Sequence, residues 1–139
     1  GTVLDYGMGP GLFANFSTQH GCHFIGIDIS SEMIKIAKTR DLSDVEYHLG
    51  DLEILPDFKN RADLVLLIGL IDYLEDPPAA LAQLAECVRP GGRIAFPSGG
   101  TRGNGGLFER ILRLFKMPHG FEKQSLQPES AERDPVPRR

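Results

Sequence analysis

The sequence contains few of the residues that build disulfide scaffolds or metal centres. Only two cysteines, Cys22 and Cys87, occur among 139 residues, too few and too far apart for a disulfide framework or a thiolate metal site. His20 and His23 lack the larger set of ligands that a zinc site normally has. We therefore expect no bound metal, and a reducing cytoplasm is the natural location for such a chain.

Long apolar runs are also missing. No stretch is long enough to cross a bilayer, although 41% of the residues are apolar. The net charge of -4 is unevenly distributed, since residues 1–97 hold 14 acidic and 7 basic side chains whereas residues 98–117 hold 1 acidic and 4 basic ones. An acidic body disfavours nonspecific nucleic-acid binding. These features predict a single soluble domain with no nucleic-acid partner and no transmembrane segment.

What the sequence does have is a glycine-rich turn directly after a short apolar segment. Residues 2–5 read as a strand, and Gly7, Gly9 and Gly11 follow at alternate positions. Gly7 supplies dihedral angles closed to other residues, Gly9 lets the backbone approach a ligand, and Gly11 lets the following helix pack close to the strand. The pattern predicts a ligand-binding turn that leads into a helix N-terminus.

The spacing of this turn argues against phosphate ligands. A dinucleotide fingerprint needs a third glycine at position 12, which is Leu12, and a phosphate-binding P-loop needs a lysine, but none occurs before Lys35. The Tyr-x-x-x-Lys pair of short-chain dehydrogenases is absent as well. Asp5 would oppose a pyrophosphate but suits the ammonium and sulfonium charges of S-adenosylmethionine.

Apolar runs alternate with helical patterns along the first hundred residues. The predicted strands are 2–5, 22–28, 45–50, 62–68 and 92–97, and the predicted helices lie near 11–20, 31–40 and 77–88. This α/β alternation implies a parallel sheet with helices on both faces and with ligands at the carboxyl ends of the strands. Asp5, Asp28 and Asp51 all lie at or just past such ends.

One seven-residue run resembles motif I of the class I S-adenosylmethionine-dependent methyltransferases: Asp5-Tyr6-Gly7-Met8-Gly9-Pro10-Gly11. Residues 24–30 resemble the family's second strand with its ribose-binding acid, residues 50–52 its adenine-contacting turn, and residues 62–96 its fourth and fifth strands. The resemblance covers about residues 1–100. It implies S-adenosyl-L-methionine as cofactor and a three-layer, Rossmann-like parallel sheet of order 3-2-1-4-5 that lacks the usual last two strands.

The resemblance also implies the residues that bind the cofactor. They are Asp5, Gly7, Gly9, Gly11, Asp28, Ile29, Met33, Asp51, Leu52 and Ile68. Asp28 would accept hydrogen bonds from the two ribose hydroxyls, although it could instead only cap the next helix. Gly50-Asp51 is also a common turn dipeptide, and Ile29 and Met33 could simply be core residues.

The reaction implied is attack by a nitrogen, oxygen, sulfur or carbon atom of an acceptor on the methyl group of a sulfonium. Positioning alone contributes about 7 to 11 kcal/mol to such reactions, so a catalytic base is optional. Asp72 and Tyr73 are the polar side chains in residues 69–74, after the fourth strand, and are the candidate catalytic residues. The alternative is that Tyr73 packs in the core and Asp72 is a surface acid.

The pattern changes after residue 97. Residues 98–106 read as a glycine-rich link, residues 107–117 as a short basic amphipathic helix, and residues 118–139 as a disordered tail. The helix could pack on the sheet edge, lie on a membrane surface or cover an apolar substrate. Because no further strands are visible, we interpret the chain as a partial methyltransferase. Its 92–97 edge has no partner strand, so we expect the chain either to self-associate there or to be locally loose over residues 92–117.

Three classes of function are therefore open. The first is methyl transfer from S-adenosylmethionine to a small-molecule or lipid-like acceptor. The second is a remnant that binds the cofactor without catalysis. The third is a nicotinamide-dependent oxidoreductase, against which Leu12 argues, because it replaces the third glycine of the fingerprint.

Overall fold

A parallel sheet of five strands runs through residues 1–96, the part of the chain that the computed structural model describes. The strands are β1 (Thr2–Tyr6), β2 (His23–Asp28), β3 (Val45–Leu49), β4 (Ala62–Leu66) and β5 (Val88–Ala95). The helices are α1 (Leu12–Gln19), α2 (Ser31–Lys38) and α3 (Pro77–Cys87), with two 3₁₀ helices at Leu52–Phe58 and Ile71–Tyr73. The sheet order β3-β2-β1-β4-β5 confirms the predicted one.

Each face of the sheet is covered by its own hydrophobic cluster. Because side chains alternate along a strand, Val3 of β1 faces a cluster that includes Ala14 of α1 and Ala37 of α2. Leu4 faces the other cluster, to which α3 contributes Leu84. The chain therefore forms three layers, as a parallel sheet requires.

The helices begin where local sequence predicts. The Ser30 hydroxyl accepts a hydrogen bond from the Met33 N–H at 3.3 Å, and Asp76 accepts one from the Ala79 N–H at 3.1 Å, with Pro77 in the first turn of α3. Both side chains satisfy backbone donors that have no partner within the helix.

The fifth strand differs from its predicted bounds. It starts at Val88, directly after α3, instead of at residue 92, because Val88 already pairs with Ala62 of β4. The register then shifts so that Leu64 pairs with Arg93, which leaves the predicted turn at residues 89–92 as an irregularity inside the strand. Gly91 has a φ of +83° there.

Several predictions concern residues outside the described part of the chain. These are the link at 98–106, the helix at 107–117, the tail at 118–139 and the absence of two further strands. The fifth strand itself ends at Ala95, two residues before its predicted end at residue 97. Within residues 1–96, the helices are too short and too polar to span a bilayer.

Candidate functional site

Gly7, in the turn after β1, has the special backbone conformation that the sequence predicts for it, and Gly9 and Gly11 share that conformation. Gly7, Gly9 and Gly11 have φ angles of +76°, +55° and +77°, in the left-handed region that other residues rarely adopt. The N–H groups of Gly7 and Met8 donate to the carbonyl oxygen of Ile27 at 2.8 and 3.1 Å. The turn is therefore anchored to the end of β2.

The three glycines have different surroundings. A Cβ atom on Gly7 would lie 2.6 Å from the Leu70 side chain, and one on Gly11 would lie 3.1 Å from the Ala37 Cβ. The neighbour for which Gly11 makes room is thus α2, and not β1 as the sequence predicted. Apart from Gly9 and its two chain neighbours, no atom of residues 1–96 lies within 4 Å of the position a Gly9 Cβ would take. Gly9 therefore forms the open side of the turn.

Asp28 joins the end of β2 to the glycine turn. One carboxylate oxygen accepts a hydrogen bond from the Gly9 N–H at 2.8 Å, and the other accepts one from the Ser30 N–H at 2.8 Å. The backbone carbonyl of Asp28 accepts from the Gly50 N–H at 3.0 Å, which connects the residue to the end of β3 as well. Asp28 therefore organises three chain segments, and the cap of α2 is Ser30 instead.

Asp5 is a buried acid at the start of the turn. It lies between Gly26 of β2 and Leu66 of β4 in the sheet register and is only 1% exposed. Its Oδ1 atom has no hydrogen-bond partner among the described residues. Burial, together with the nearby negative charge of Asp28, raises the pKa of Asp5 from 3.8 to about 7. A cation placed beside it would stabilise the ionised form.

Asp51 lies after β3 and is held by a residue that the sequence did not predict. Its Oδ1 atom accepts hydrogen bonds from the Leu52 N–H at 2.8 Å and from the hydroxyl of Tyr6. Tyr6 is 3% exposed, and its pKa is raised by burial and by this hydrogen bond to Asp51. A signal was present in the sequence, because a tyrosine inside a buried strand needs a partner for its hydroxyl.

The apolar side chains predicted to contact the cofactor are mostly accessible. Ile29 follows β2 and is 72% exposed, and Ile68 follows β4 and is 38% exposed. Met33 in α2 is half-buried, and Leu52 packs against the cluster that includes Leu4. The alternative that Ile29 is a core residue is therefore wrong.

The candidate catalytic residues lie in the 3₁₀ helix Ile71–Tyr73, beyond the carboxyl end of β4. Asp72 is exposed, and Tyr73 is 82% exposed. The alternative that Tyr73 packs in the core is therefore wrong. Both side chains are free to face a bound molecule at this edge of the sheet.

A cavity of about 350 Å³ lies elsewhere, on β3 and the neighbouring 3₁₀ helix. Its lining residues are Tyr47, His48, Leu49, Ile54, Asp57, Phe58 and Arg61. None of the predicted cofactor-binding residues lines this cavity. It is therefore separate from the site at the glycine turn. Among residues 1–96, no group of three or more histidine, cysteine or acidic side chains is arranged to hold a metal ion.

Comparison of the chain with known proteins finds methyltransferases. A family model described as a methyltransferase domain matches residues 4–96. The ubiquinone biosynthesis O-methyltransferase of Coxiella burnetii is 31% identical over 97 residues, which are 68% of this chain and 42% of that protein. The malonyl-[acyl-carrier protein] O-methyltransferase of Pectobacterium atrosepticum is 35% identical over 107 residues, 77% of this chain and 41% of that protein.

Solved structures agree with the sequence relatives. The S-adenosylmethionine-dependent methyltransferase from Mesorhizobium loti superposes with a TM-score of 0.63 at 26% identity, covering 68% of this chain and 44% of that one. The chain thus spans less than half the length of each of these three relatives.

Proposed function

Because this chain belongs to the class I S-adenosylmethionine-dependent methyltransferases, we propose that it binds S-adenosyl-L-methionine at the carboxyl ends of β1, β2 and β3 for methyl transfer to a small-molecule acceptor. The observation that carries this proposal is the buried, unpartnered Oδ1 atom of Asp5 beside an open glycine turn. The pKa of Asp5 is near 7 because burial and Asp28 disfavour its ionised form, and a positively charged ligand beside it would stabilise that form.

The residues present fit such a cofactor. Asp5 would hold its positively charged end, while the open backbone at Gly9 leaves room for close approach. Asp28 would accept hydrogen bonds from the ribose diol, because a carboxylate has lone pairs left after accepting two backbone N–H bonds. When bound, S-adenosylmethionine supplies an activated methyl group on a sulfonium.

The remaining side chains would complete the binding surface. Asp51 and Leu52 would contact the adenine, with Ile29, Met33 and Ile68 as apolar neighbours. Gly7 and Gly11 would maintain the turn itself, because both have left-handed backbone conformations against close neighbours. Among these contacts, the hydrogen-bonding side chains give orientation and the apolar ones add buried area.

The acceptor would lie beyond the end of β4, where Asp72 and Tyr73 are exposed. Their proposed role is to orient the acceptor or to accept its proton, as an acid and a phenol can. The names of both relatives specify O-methyl transfer, which favours an oxygen atom as the methylated position. A small-molecule or lipid-like acceptor remains our proposal for this chain.

Calorimetric titration of the full 139-residue chain with S-adenosylhomocysteine and, separately, with NAD tests the proposal. We expect saturable binding of S-adenosylhomocysteine and none of NAD, because Leu12 replaces the third glycine of the dinucleotide fingerprint. Binding of NAD in preference to S-adenosylhomocysteine would establish the oxidoreductase alternative instead. If the chain binds S-adenosylhomocysteine but transfers no labelled methyl group from S-adenosylmethionine to the acceptors tested, it is the inactive remnant.

A further inference from the structure

The hydroxyl of Tyr6 bridges two strands that are not neighbours in the sheet. Tyr6 ends β1, and its partner Asp51 follows β3, with β2 between them. Within the sheet register Tyr6 lies beside Ile27 of β2, and its hydroxyl reaches beyond that strand to Asp51. The ring is buried, whereas Asp51 at the other end of the hydrogen bond is exposed.

This hydrogen bond fixes one half of the Asp51 carboxylate. The Oδ1 atom accepts from both the Tyr6 hydroxyl and the Leu52 N–H. The backbone N–H of Asp51 donates to the Glu53 carboxylate at 3.0 Å, which holds the main chain of the turn. The Oδ2 atom accepts no hydrogen bond from residues 1–96 and is the acceptor left for a ligand.

We propose that Tyr6 is a positioning residue that directs the Oδ2 atom of Asp51 toward the exocyclic amino group of adenine and thereby excludes purines with an oxygen at that position. This inference rests on the proposed function, since it takes the adenine to lie at Asp51. An ionised carboxylate only accepts hydrogen bonds, and the adenine amino group donates them. A 6-oxo purine would place two acceptors against each other.

The rigidity of the carboxylate is what makes the selection effective. An exposed carboxylate that is free to rotate can turn toward water when the oxygen of a 6-oxo purine approaches. Such a carboxylate would reduce the affinity for the 6-oxo purine only slightly. Tyr6 removes that freedom because its ring is itself held in the core by its neighbours. Selectivity thus depends on a side chain that does not touch the ligand.

The test compares the binding of S-adenosylhomocysteine with that of S-inosylhomocysteine, its 6-oxo counterpart. We expect the 139-residue wild-type chain to prefer the adenine ligand by at least about tenfold, which corresponds to the free energy of one hydrogen bond to a charged group. Tyr6→Phe keeps the buried ring and removes only the hydroxyl, and we expect the preference to fall to within about threefold.

Tyr47→Phe is the matched control. It makes the same chemical change on β3, where the Tyr47 hydroxyl has no hydrogen-bond partner among the described residues. It should leave the preference at the wild-type value. A Tyr6→Phe chain that retains the wild-type preference overturns the inference and leaves the proposed function intact. A wild-type chain that binds neither ligand overturns the proposed function itself.

Asp51→Glu keeps the inference testable if Tyr6→Phe fails to fold. This substitution preserves Tyr6 and the negative charge but moves the carboxylate by one methylene, away from its position against the hydroxyl. We expect the same loss of preference between the two ligands. Full retention of the preference in Asp51→Glu would overturn the inference.

Discussion

The carboxylate of Asp28 accepts a hydrogen bond from the backbone N–H of Gly9 at 2.8 Å. The proposed ribose-binding acid and the open glycine of the turn are therefore parts of one hydrogen-bonded unit, although 19 positions separate them in the chain. Removal of either residue should affect both the ligand contact and the conformation of the turn.

Asp28→Ala should weaken the binding of S-adenosylhomocysteine by about one to two orders of magnitude, because hydrogen bonds to a charged group contribute about 1.5 to 3 kcal/mol each. Calorimetry measures this loss. To separate the ribose contact from the anchoring of Gly9, the 2′-deoxy analogue is titrated in parallel. If the wild-type chain loses affinity for that analogue and Asp28→Ala shows no further loss, the ribose assignment holds. An unchanged dissociation constant in Asp28→Ala contradicts it.

Gly9→Val should abolish cofactor binding while the fold survives. The added Cβ atom has no described atom within 4 Å apart from those of residue 9 and its two chain neighbours, but the new side chain enters the space through which the ligand approaches. Strain from a φ of +55° costs about 1 to 2 kcal/mol. Gly21→Val is the matched control, because Gly21 has a φ of +70° and equally open surroundings after α1. Both variants should lose stability, measured by urea unfolding, and only Gly9→Val should lose affinity. Similar affinities in the two would refute the close-approach argument.

The stability of the ligand-free chain should fall between about pH 4 and pH 7 on account of Asp5. Its pKa in the folded state, about 7, lies above the ordinary value of 3.8, so the folded chain binds the proton more tightly. This contribution is fully present below pH 3.8 and is lost as the pH rises through 7. At about 1.4 kcal/mol per pKa unit it amounts to a few kcal/mol at most. Asp5→Asn should be more stable than the wild type at pH 8, as urea unfolding at several pH values will show. If the unfolding free energies of the wild type and of Asp5→Asn change with pH in the same way, the prediction is contradicted.

The affinity for S-adenosylhomocysteine should have the opposite pH dependence. A positively charged ligand group needs Asp5 ionised, so affinity should rise with pH up to about 7 and level off above it. Below that value the association constant should change by up to about tenfold per pH unit. In Asp5→Asn the binding should be weaker and its pH profile flatter. Equal slopes for the two chains would exclude contact between Asp5 and the charged end of the ligand.

His23 should stabilise the β2–β3 edge only while it is protonated. Its ring nitrogens lie 2.7 Å from Asp44 and 2.9 Å from Glu46, and only the charged imidazolium donates to both. Burial opposes the charge, but these hydrogen bonds outweigh it and raise the pKa of His23 above 6.5. His48 and Arg61 also bind Glu46, whose pKa is lowered to about 2, so this acid stays ionised throughout.

The stabilisation by His23 is therefore complete below pH 6.5 and is lost as the pH rises through the folded-state pKa. Since the ring is partly exposed, we expect less than about 1 kcal/mol. His23→Gln should remove this pH-dependent part of the unfolding free energy. A wild-type pH profile in His23→Gln would show that the contacts carry no net stability.

Much of the fold was predictable because its signals are local. Gly7 predicts dihedral angles closed to other residues, and the helical patterns predict starts near residues 31 and 77. The caps of these two helices, Ser30 and Asp76, act through contacts within three residues. The strand pattern predicts parallel pairing. The start of β5 was not predictable, because Val88 joins the sheet by pairing with Ala62, a residue far away in the sequence.

The sequence by itself determined the turn, the alternation of strands and helices, and which acids lie at the strand ends. Tertiary structure alone decided what those acids contact: Asp28 binds Gly9, Asp51 binds Tyr6, and Asp5 is buried with a pKa near 7. The physical reason is that backbone conformation depends on nearby residues, whereas burial, pKa and hydrogen-bond partners depend on atoms that only folding brings together.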